Sequence, residues 1–307
     1  MDTFIQQIIN GLVLGSIYAL VALGYTMVYG IMGLINFAHG EVVMIGAMVA
    51  LMVIKLLLNS GLPVFLVVLI GLAAAVFVCM VVGYTIERIA YRPLRRAPKL
   101  APLITAIGVS IVLQNLAMLI WGRNYHAFPP IFPVAEYDIL GATITNLQVS
   151  IVIIAALMMA GLIILIDFTR LGRAMRATSE NPPIAQLMGV NINQIISFTF
   201  VIGSALAAVA GLMVSANYSI AHYYMGAMLG MKAFTAAVLG GIGNIAGAML
   251  GGILLGLIES LGAGYIGDLT GGFLGSNYQD IFAFFVLIGV LVFRPSGLIG
   301  EKVSERA

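Results

Sequence analysis

The sequence predicts an all-α protein that crosses a membrane eight or nine times and forms one transmembrane domain over residues 1–307. Hydrophobic residues make up 62% of the chain and charged residues only 8%, whereas a soluble domain carries about 25% charged residues. Apolar runs of about 20 residues, enough to span the hydrocarbon core of a bilayer, recur along the sequence. Basic residues collect in a few short loops between these runs, which is typical of multi-pass membrane proteins.

Nine apolar segments are candidate spans. They are 4–29, 40–58, 64–86, 101–121, 148–168, 195–216, 226–241, 245–262 and 278–294. The segment 226–241 is short and contains Lys232, so either a half-helix or a full crossing fits it. The first segment lacks a basic flank and a cleavage site, and we expect it to be retained as an uncleaved insertion signal.

Basic residues predict which loops face the cytoplasm. Eleven of the fourteen Lys and Arg residues lie in the loop 87–99, in the loop 169–194 and in the tail from Arg294. We expect these two loops and the C-terminus to be cytoplasmic. The segments 122–147 and 262–279 contain a single basic residue, Arg123, and are predicted to be external. The N-terminus lies outside if residues 1–58 cross twice, and inside if they make an odd number of crossings.

A polar, glycine-rich break interrupts the first hydrophobic region at residues 30–41, where Asn36, His39 and Glu41 occur. A charge at the centre of a bilayer costs roughly 2.5–3.5 kcal/mol, and irregular backbone is tolerated there only where it lines a protein cavity. Two interpretations stay open. The break is a translocation-pathway element facing the interior of an assembly, or it is a turn at the membrane surface in which Asn36 caps the next helix.

Polar residues also occur inside the predicted spans, and two interpretations of them are possible. Gln114 and Asn115 lie in the segment 101–121, where buried amides either join helices by hydrogen bonds or line a pathway. Glu259 is close to the predicted end of the segment 245–262, so we expect it near the external interface. Cys79 is the single cysteine, which excludes an intramolecular disulfide. No group of His, Cys, Asp or Glu has the spacing of a metal site.

Glycines recur every four residues near the end of the chain and predict close helix packing. One row is Gly243, Gly247 and Gly251, and a second row includes Gly252 and Gly256. Small residues at this spacing let neighbouring helix backbones approach closely in a membrane. We expect this helix to serve as packing core or as a subunit interface.

The loop 169–194 is the longest stretch that looks like a soluble protein surface. A short basic helix is predicted from Arg170 to Ala177, followed by a second helix that begins at Pro182-Pro183 and is capped by Ser179 or Asn181. Gly189 is suited to end that second helix. The alternative is a basic loop that lies against anionic lipid, but it leaves the proline pair and the glycine stop unexplained.

The chain lacks the motifs of an internal energy source. It contains no Gly-Lys dipeptide and therefore no phosphate-binding loop of the Walker A type. The candidate intramembrane carboxylates, Glu41, Asp167 and Glu259, all lie near predicted span ends. Uphill transport would therefore draw its energy from another polypeptide, for which the loop 169–194 is the best docking surface.

Four stretches in this order resemble the bacterial ABC importer permeases for branched-chain amino acids. They are Gly30-x2-Gly33-x2-Asn36-Phe37-Ala38-His39-Gly40-Glu41, Glu87-Arg88-x2-Tyr91-Arg92-Pro93-Leu94-Arg95, Arg173-Ala174-Met175-Arg176-Ala177-Thr178-Ser179-Glu180-Asn181-x3-Ala185-x3-Gly189-Val190-Asn191, and Lys232-Ala233-Phe234-Thr235-Ala236-Ala237-Val238-Leu239-Gly240-Gly241-Ile242-Gly243. The resemblance covers essentially the whole chain. It is weakest over the segment 122–147, so no contacts with a binding protein are carried over.

The resemblance implies a heteromeric importer in the bacterial inner membrane. A periplasmic binding protein delivers leucine, isoleucine or valine, and this chain and a second permease subunit form the pathway. Two cytoplasmic ATPase subunits bind the ATP, so this chain needs no cofactor, performs no bond chemistry and binds no nucleic acid. The residues implied in coupling to the ATPase are Arg173, Ala177, Glu180, Asn181, Ala185 and Gly189. The alternatives are a permease for an amide, sugar or nucleoside, and a stand-alone channel or secondary transporter.

Overall fold

The computed structural model describes residues 2–95, 97–98, 100–130, 135–139, 141–271, 273, 278–294 and 296–300. The helices of this part of the chain are α1 (Asp2–Met32), α2 (His39–Leu57), α3 (Val64–Thr85), α4 (Leu100–Trp121), α5 (Asn146–Phe168), α6 (Arg170–Glu180), α7 (Pro182–Leu187), α8 (Ile192–Tyr218), α9 (Met225–Gly240), α10 (Ile245–Leu269) and α11 (Gln279–Phe293). A π-helical turn, Ile86–Tyr91, and a 3₁₀ turn, Arg92–Leu94, follow α3. The strands are β1 (His126–Ala127), β2 (Glu136–Ile139), β3 (Ala142–Thr145) and β4 (Ile220–Ala221).

The predicted all-α membrane class is confirmed. Seven helices within the described ranges are long and apolar enough to cross a membrane by length and composition. The helices α9 and α11 are apolar but shorter, with 16 and 15 residues. At 1.5 Å per residue, α9 extends about 24 Å, which is less than the hydrocarbon core of roughly 30 Å. Each of the nine predicted apolar segments coincides with one of these helices.

Two compact units divide the chain, and each is assembled from segments distant in sequence. The first unit comprises Met1–Thr26, Pro133–Met159 and Lys232–Ala307. The second unit comprises Met27–Phe132 and Ala160–Met231. The unit boundaries fall inside α1, α5 and α9, so these helices contribute residues to both units.

In the second unit, α2, α3 and α8 pack on one another through small residues. A Cβ added at Gly46 would lie 2.6 Å from the Cα of Ala208, and one added at Gly211 would lie 2.2 Å from the carbonyl oxygen of Val43. Such close backbone approach is how membrane helices gain dispersion contacts without a hydrophobic driving force between them. The chain buries α2 along most of its length as a result.

In the first unit, α10 packs on α1 and α9 through glycines that were predicted from the sequence to mediate helix packing. Gly252 and Gly256 meet α1 at Ala19 and Gly15, whereas Gly247 and Gly251 meet α9 near its end. Gly243 does not belong to this helix face, contrary to the prediction. It precedes α10 in a turn, with φ of +97°, because Asn244 caps the helix by accepting from the backbone N–H of Gly247 at 2.9 Å.

Short antiparallel strands occur in the segment 122–147, where the sequence predicted only a loop. The strands β2 and β3 pair as a hairpin in the first unit, with Glu136 opposite Thr145. In the second unit β1 pairs with β4, and His126 lies opposite Ala221. This pairing places the end of α4 next to the end of α8. The predicted loop charges Arg96, Lys99, Lys302 and Arg306 lie outside the described residues.

Candidate functional site

The helices α6 and α7 form a compact element between α5 and α8. Thr169 caps α6, because its hydroxyl accepts from the backbone N–H of Gly172 at 3.1 Å. Asn181 ends α6, since its N–H donates to the carbonyl of Ala177 at 3.1 Å. The same residue begins α7, because its side chain accepts from the N–H of Ile184 at 3.1 Å. Of the two predicted caps, the structure uses Asn181.

Gly189 terminates this element as the sequence predicted. Its φ is +86°, in the left-handed region, which costs a residue with a side chain roughly 1–2 kcal/mol. The turn lets the N–H of Val190 donate to the carbonyl of Ala185 at 3.0 Å. The chain then reverses into α8, which Asn191 caps by accepting from the N–H of Gln194 at 3.2 Å.

Contacts with two other helices fasten α6. Gly172 lies so close to α5 that an added Cβ would be 2.0 Å from the carbonyl oxygen of Ile166. Arg176 donates to that carbonyl at 2.9 Å and to the carboxylate of Asp167 at 2.8 Å. The Ser179 hydroxyl donates to the carbonyl of Gly30, near the end of α1. A displacement of α6 would therefore also displace the ends of α5 and α1 to which it is bonded.

An exposed apolar face occupies α7 and its end. The side chains of Ile184, Leu187 and Met188 are 57%, 85% and 81% exposed. Their spacing of three and four residues puts them on one helical face, and clustered exposed apolar side chains mark interaction sites. The sequence analysis did not predict this face, because three apolar residues do not stand out in a chain that is 62% hydrophobic. The helical spacing beside a polar helix was the signal that could have found it.

The predicted coupling residues divide between surface and interior. Arg173, Ala177, Glu180 and Asn181 are exposed on this element. Ala185 is only 3% exposed, so its side chain packs within the chain. The expectation that Ala185 contacts a partner directly does not fit this burial, and the exposed apolar residues of α7 replace it in our account.

The polar break between α1 and α2 is ordered by Asn36. Its side-chain oxygen accepts from the N–H of Ala38 at 3.2 Å and from the Tyr91 hydroxyl at 3.1 Å. Ala38 is the N-cap residue of α2 and makes no side-chain capping bond. Asn36 therefore stabilises the turn and ties it to the π-helical turn, and it does not cap the helix in the predicted way.

Glu41 is a buried carboxylate in the first turn of α2. It is 1% exposed, and one oxygen accepts from the Ser110 hydroxyl of α4 at 3.2 Å. The other oxygen has no hydrogen-bond partner among the residues that the structure describes. Gly226 adjoins this oxygen, and an added Cβ there would lie 2.7 Å from it. A buried carboxylate oxygen without a donor can accept one from a passing ligand.

The predicted pathway residues are only partly brought together. Asn36 and His39 are 3% and 2% exposed and lie with Glu41 at the start of α2. Asn115 is exposed on α4, and its amide donates to the carbonyl of Ile111 in its own helix at 2.8 Å. Gln114 is half-buried on the same helix.

Comparison with known proteins decides the family. A family model described as "Branched-chain amino acid transport system / permease component" matches residues 7–291. The high-affinity branched-chain amino acid transport system permease protein BraD of Pseudomonas aeruginosa is 49% identical over 99% of this chain and 98% of its own length. The corresponding permease protein LivH of Escherichia coli K12 is 46% identical over 99% and 97%. This chain belongs to the branched-chain amino acid transport permease family.

A buried ion cluster in the permease was not foreseen from the sequence. The Lys232 ammonium lies 2.5 Å from a carboxylate oxygen of Glu259 and 2.6 Å from one of Asp280. It also donates to the Tyr18 hydroxyl at 3.3 Å. Glu259 is fully buried because α10 continues to Leu269. Glu259 therefore lies ten residues before the end of α10 and not, as the sequence had predicted, close to its end.

Proposed function

We propose that this permease forms, with a second permease subunit, the inner-membrane pathway of an ATP-driven importer for leucine, isoleucine and valine. A periplasmic binding protein delivers the amino acid, and two cytoplasmic ATPase subunits bind and hydrolyse ATP. The family description and the names of BraD and LivH support the substrate class.

The exposed apolar face of α7 is the observation that carries the coupling role. Ile184, Leu187 and Met188 are exposed on α7 and its end, and the preceding helix α6 carries the exposed charges of Arg173 and Glu180. An apolar centre with a charged rim is the usual anatomy of a protein interface. We assign this surface of the permease as the docking site for an ATPase subunit. On this proposal Ala177 and Asn181 contribute to the rim, and Ala185 and Gly189 hold the shape of α7.

Contacts within the second unit support a proposed orientation of the permease. The Ser179–Gly30 bond puts α6 beside the end of α1. Arg95 donates to the side chain of Asn193 at 2.5 Å, which puts the basic loop after α3 beside the start of α8. These contacts bring the loops 87–99 and 169–194 to one end, and their basic residues favour the cytoplasm. On this proposal the paired strands β1 and β4 face the periplasm. The basic residues of the tail from Arg294 independently favour a cytoplasmic C-terminus.

Transmission from the ATPase runs through α6. Its contacts with Gly30 and Ile166 couple a movement of α6 and α7 to the ends of α1 and α5. Gly30 lies in the last turn of α1, which ends at Met32 shortly before the turn that Asn36 stabilises. Closure of the ATPases therefore displaces the start of α2, where His39 and Glu41 lie.

The buried start of α2 is assigned to the translocation pathway. A free amino acid carries an ammonium group, and Glu41 offers that group a carboxylate oxygen that has no donor in the described chain. Charge-assisted hydrogen bonds of this kind are roughly twice as strong as neutral ones. Gln114, one turn beyond Ser110 on α4, extends this polar surface on our proposal, whereas Asn115 is exposed and bonded within its own helix.

Reconstitution into proteoliposomes tests the function. The permease, its sister subunit, both ATPases and the binding protein are incorporated, and uptake of radiolabelled leucine is measured. We expect uptake only when ATP and binding protein are both present, with competition by unlabelled isoleucine and valine. Uptake by this chain alone under an ion gradient would contradict the proposal and favour a secondary transporter. Competition only by an amide, sugar or nucleoside would overturn the substrate class.

A further inference from the structure

A groove in the second unit lies outside the coupling and pathway residues. It has a volume of about 480 Å³ and runs between the end of α3 and the start of α8. The residues that shape it are Tyr84, Arg88, Arg92, Gln194, Phe198 and Val201. Ligand pockets measure roughly 300–1,000 Å³, so the groove is large enough for more than one ion or water molecule. We propose that it binds the phosphate headgroup of an anionic phospholipid, with the start of an acyl chain.

Two arginines give the groove its charge. Arg88 and Arg92 are four residues apart and both line the groove. Neither forms an ion pair with any residue that the structure describes. Guanidinium groups bind phosphate oxygens with two parallel hydrogen bonds, which makes arginine suited to a phosphate headgroup.

The neighbouring acid does not neutralise this charge. Glu87 is fully buried, pairs with Arg95, and accepts from the Ser197 hydroxyl at 2.6 Å. The π-helical turn separates Glu87 and Tyr91, both buried, from the exposed Arg88. Among the described residues, no aspartate or glutamate lines the groove. The two arginines therefore leave the groove with an uncompensated positive charge, which suits an anionic ligand.

The groove changes from polar to apolar in one direction. Tyr84, on α3, lies nearer the middle of the span than Arg88 in the π-helical turn that follows. On α8, Phe198 and Val201 lie nearer the middle than Gln194. Tyr84 and Phe198 are 45% and 50% exposed. A free phosphate would bind only at the arginines and would leave the apolar part of the groove unfilled. A phospholipid has a charged headgroup followed by an apolar chain, which matches the polar and apolar parts of the groove. Basic sites between membrane helices on the cytoplasmic side recognise anionic lipids in this way.

Lipid binding to the purified full-length permease tests the proposal. Native mass spectrometry measures the binding of phosphatidylglycerol and of phosphatidylcholine to the wild type, to R88Q/R92Q and to K55Q/R123Q. The last variant loses the same two charges from residues that do not line the groove. Because the assay uses no nucleotide or amino acid, it stands or falls independently of the transport function.

We expect the wild type and K55Q/R123Q to prefer phosphatidylglycerol. R88Q/R92Q is expected to lose about tenfold or more in affinity for that lipid, as fits the loss of charged hydrogen bonds. The single variants R88K and R92K keep the charge but cannot form two parallel hydrogen bonds to a phosphate. Their affinity for phosphatidylglycerol should lie between those of the wild type and the double variant. If the double variant does not fold, the single variants R88Q and R92Q carry the comparison.

Three results would overturn the lipid site. The first is equal binding of both lipids to the wild type. The second is displacement of phosphatidylglycerol by inorganic phosphate at equal concentration, which would identify a free-phosphate site. The third is loss of the bound lipid on assembly with the ATPases together with a cross-link from this groove to them, which would identify a protein partner.

Discussion

Lys232 joins four helices of the first unit through its ammonium group. Lys232 itself lies on α9, and its partners Tyr18, Glu259 and Asp280 lie on α1, α10 and α11. The side chains of Lys232 and Glu259 are 8% and 0% exposed. Buried charges are tolerated when they are paired, and removal of one partner leaves an uncompensated charge in the interior.

We therefore expect Lys232→Met to destabilise the permease strongly. Loss of one partner from a buried ion pair costs about 3–5 kcal/mol, which a thermal unfolding scan of the purified protein would detect. Lys232→Met with Glu259→Gln should recover part of the loss, because one of the two carboxylates is then neutral. Lys55→Met is the matched control, since Lys55 is exposed. Equal stability of the Lys55 and Lys232 variants would contradict a structural role for the cluster.

Glu41 is predicted to act on transport and not on assembly. Glu41→Gln keeps the size of the side chain but removes the charge offered to the ammonium group of the amino acid. We expect leucine uptake to fall roughly tenfold, as fits the loss of a charged hydrogen bond, while the ATPases still co-purify. Glu136→Gln, at an exposed residue of β2, serves as the control. Unchanged uptake in Glu41→Gln would remove this residue from the pathway.

The sequence predicted the elements well where local chemistry decides them. Asn181, Pro182 and Gly189 define the boundaries of α7 because caps and stops depend on a few neighbouring residues. The end of α10 was placed too early because its last residues are rich in glycine and weak in hydropathy. Packing against α1 continues the helix there, as the contact of Gly264 with Gln7 shows. Hydropathy does not contain that information, and the end of α10 beyond Glu259 was mispredicted for this reason.

The end of α7 provides a test of coupling at the level of the element. No atom of the described residues lies within 4 Å of an added Cβ at Gly189, so a substitution there meets only the backbone penalty of a positive φ. Gly189→Val should destabilise this turn by roughly 1–2 kcal/mol. We expect it to reduce the leucine uptake per ATP hydrolysed several-fold. Gly189→Asn, which tolerates this conformation, should remain close to the wild type. Identical coupling ratios for the valine variant and the wild type would show that the shape of this turn is not required.

At the level of the whole molecule, composition and the length of the apolar runs predicted the membrane class and the nine apolar helices seen in the described part of the chain. They did not predict which helices pack together, because hydropathy is nearly uniform along this chain. The two units depend instead on small-residue faces such as Gly252 and Gly256 and on buried polar partners such as Lys232 and Glu259. Those partners are distant in sequence, and single-chain patterns do not reveal them.

Site-directed cross-linking tests most directly whether the ATPase docks on α7. Cys79, the single native cysteine, is fully buried and is replaced by alanine. Leu187→Cys, at a side chain that is 85% exposed, is then compared in the assembled complex with Tyr125→Cys, at one that is 68% exposed. With a thiol–amine reagent, our account predicts a permease–ATPase product from Leu187→Cys and none from Tyr125→Cys. No ATPase product at position 187, or equal products at both positions, would contradict it.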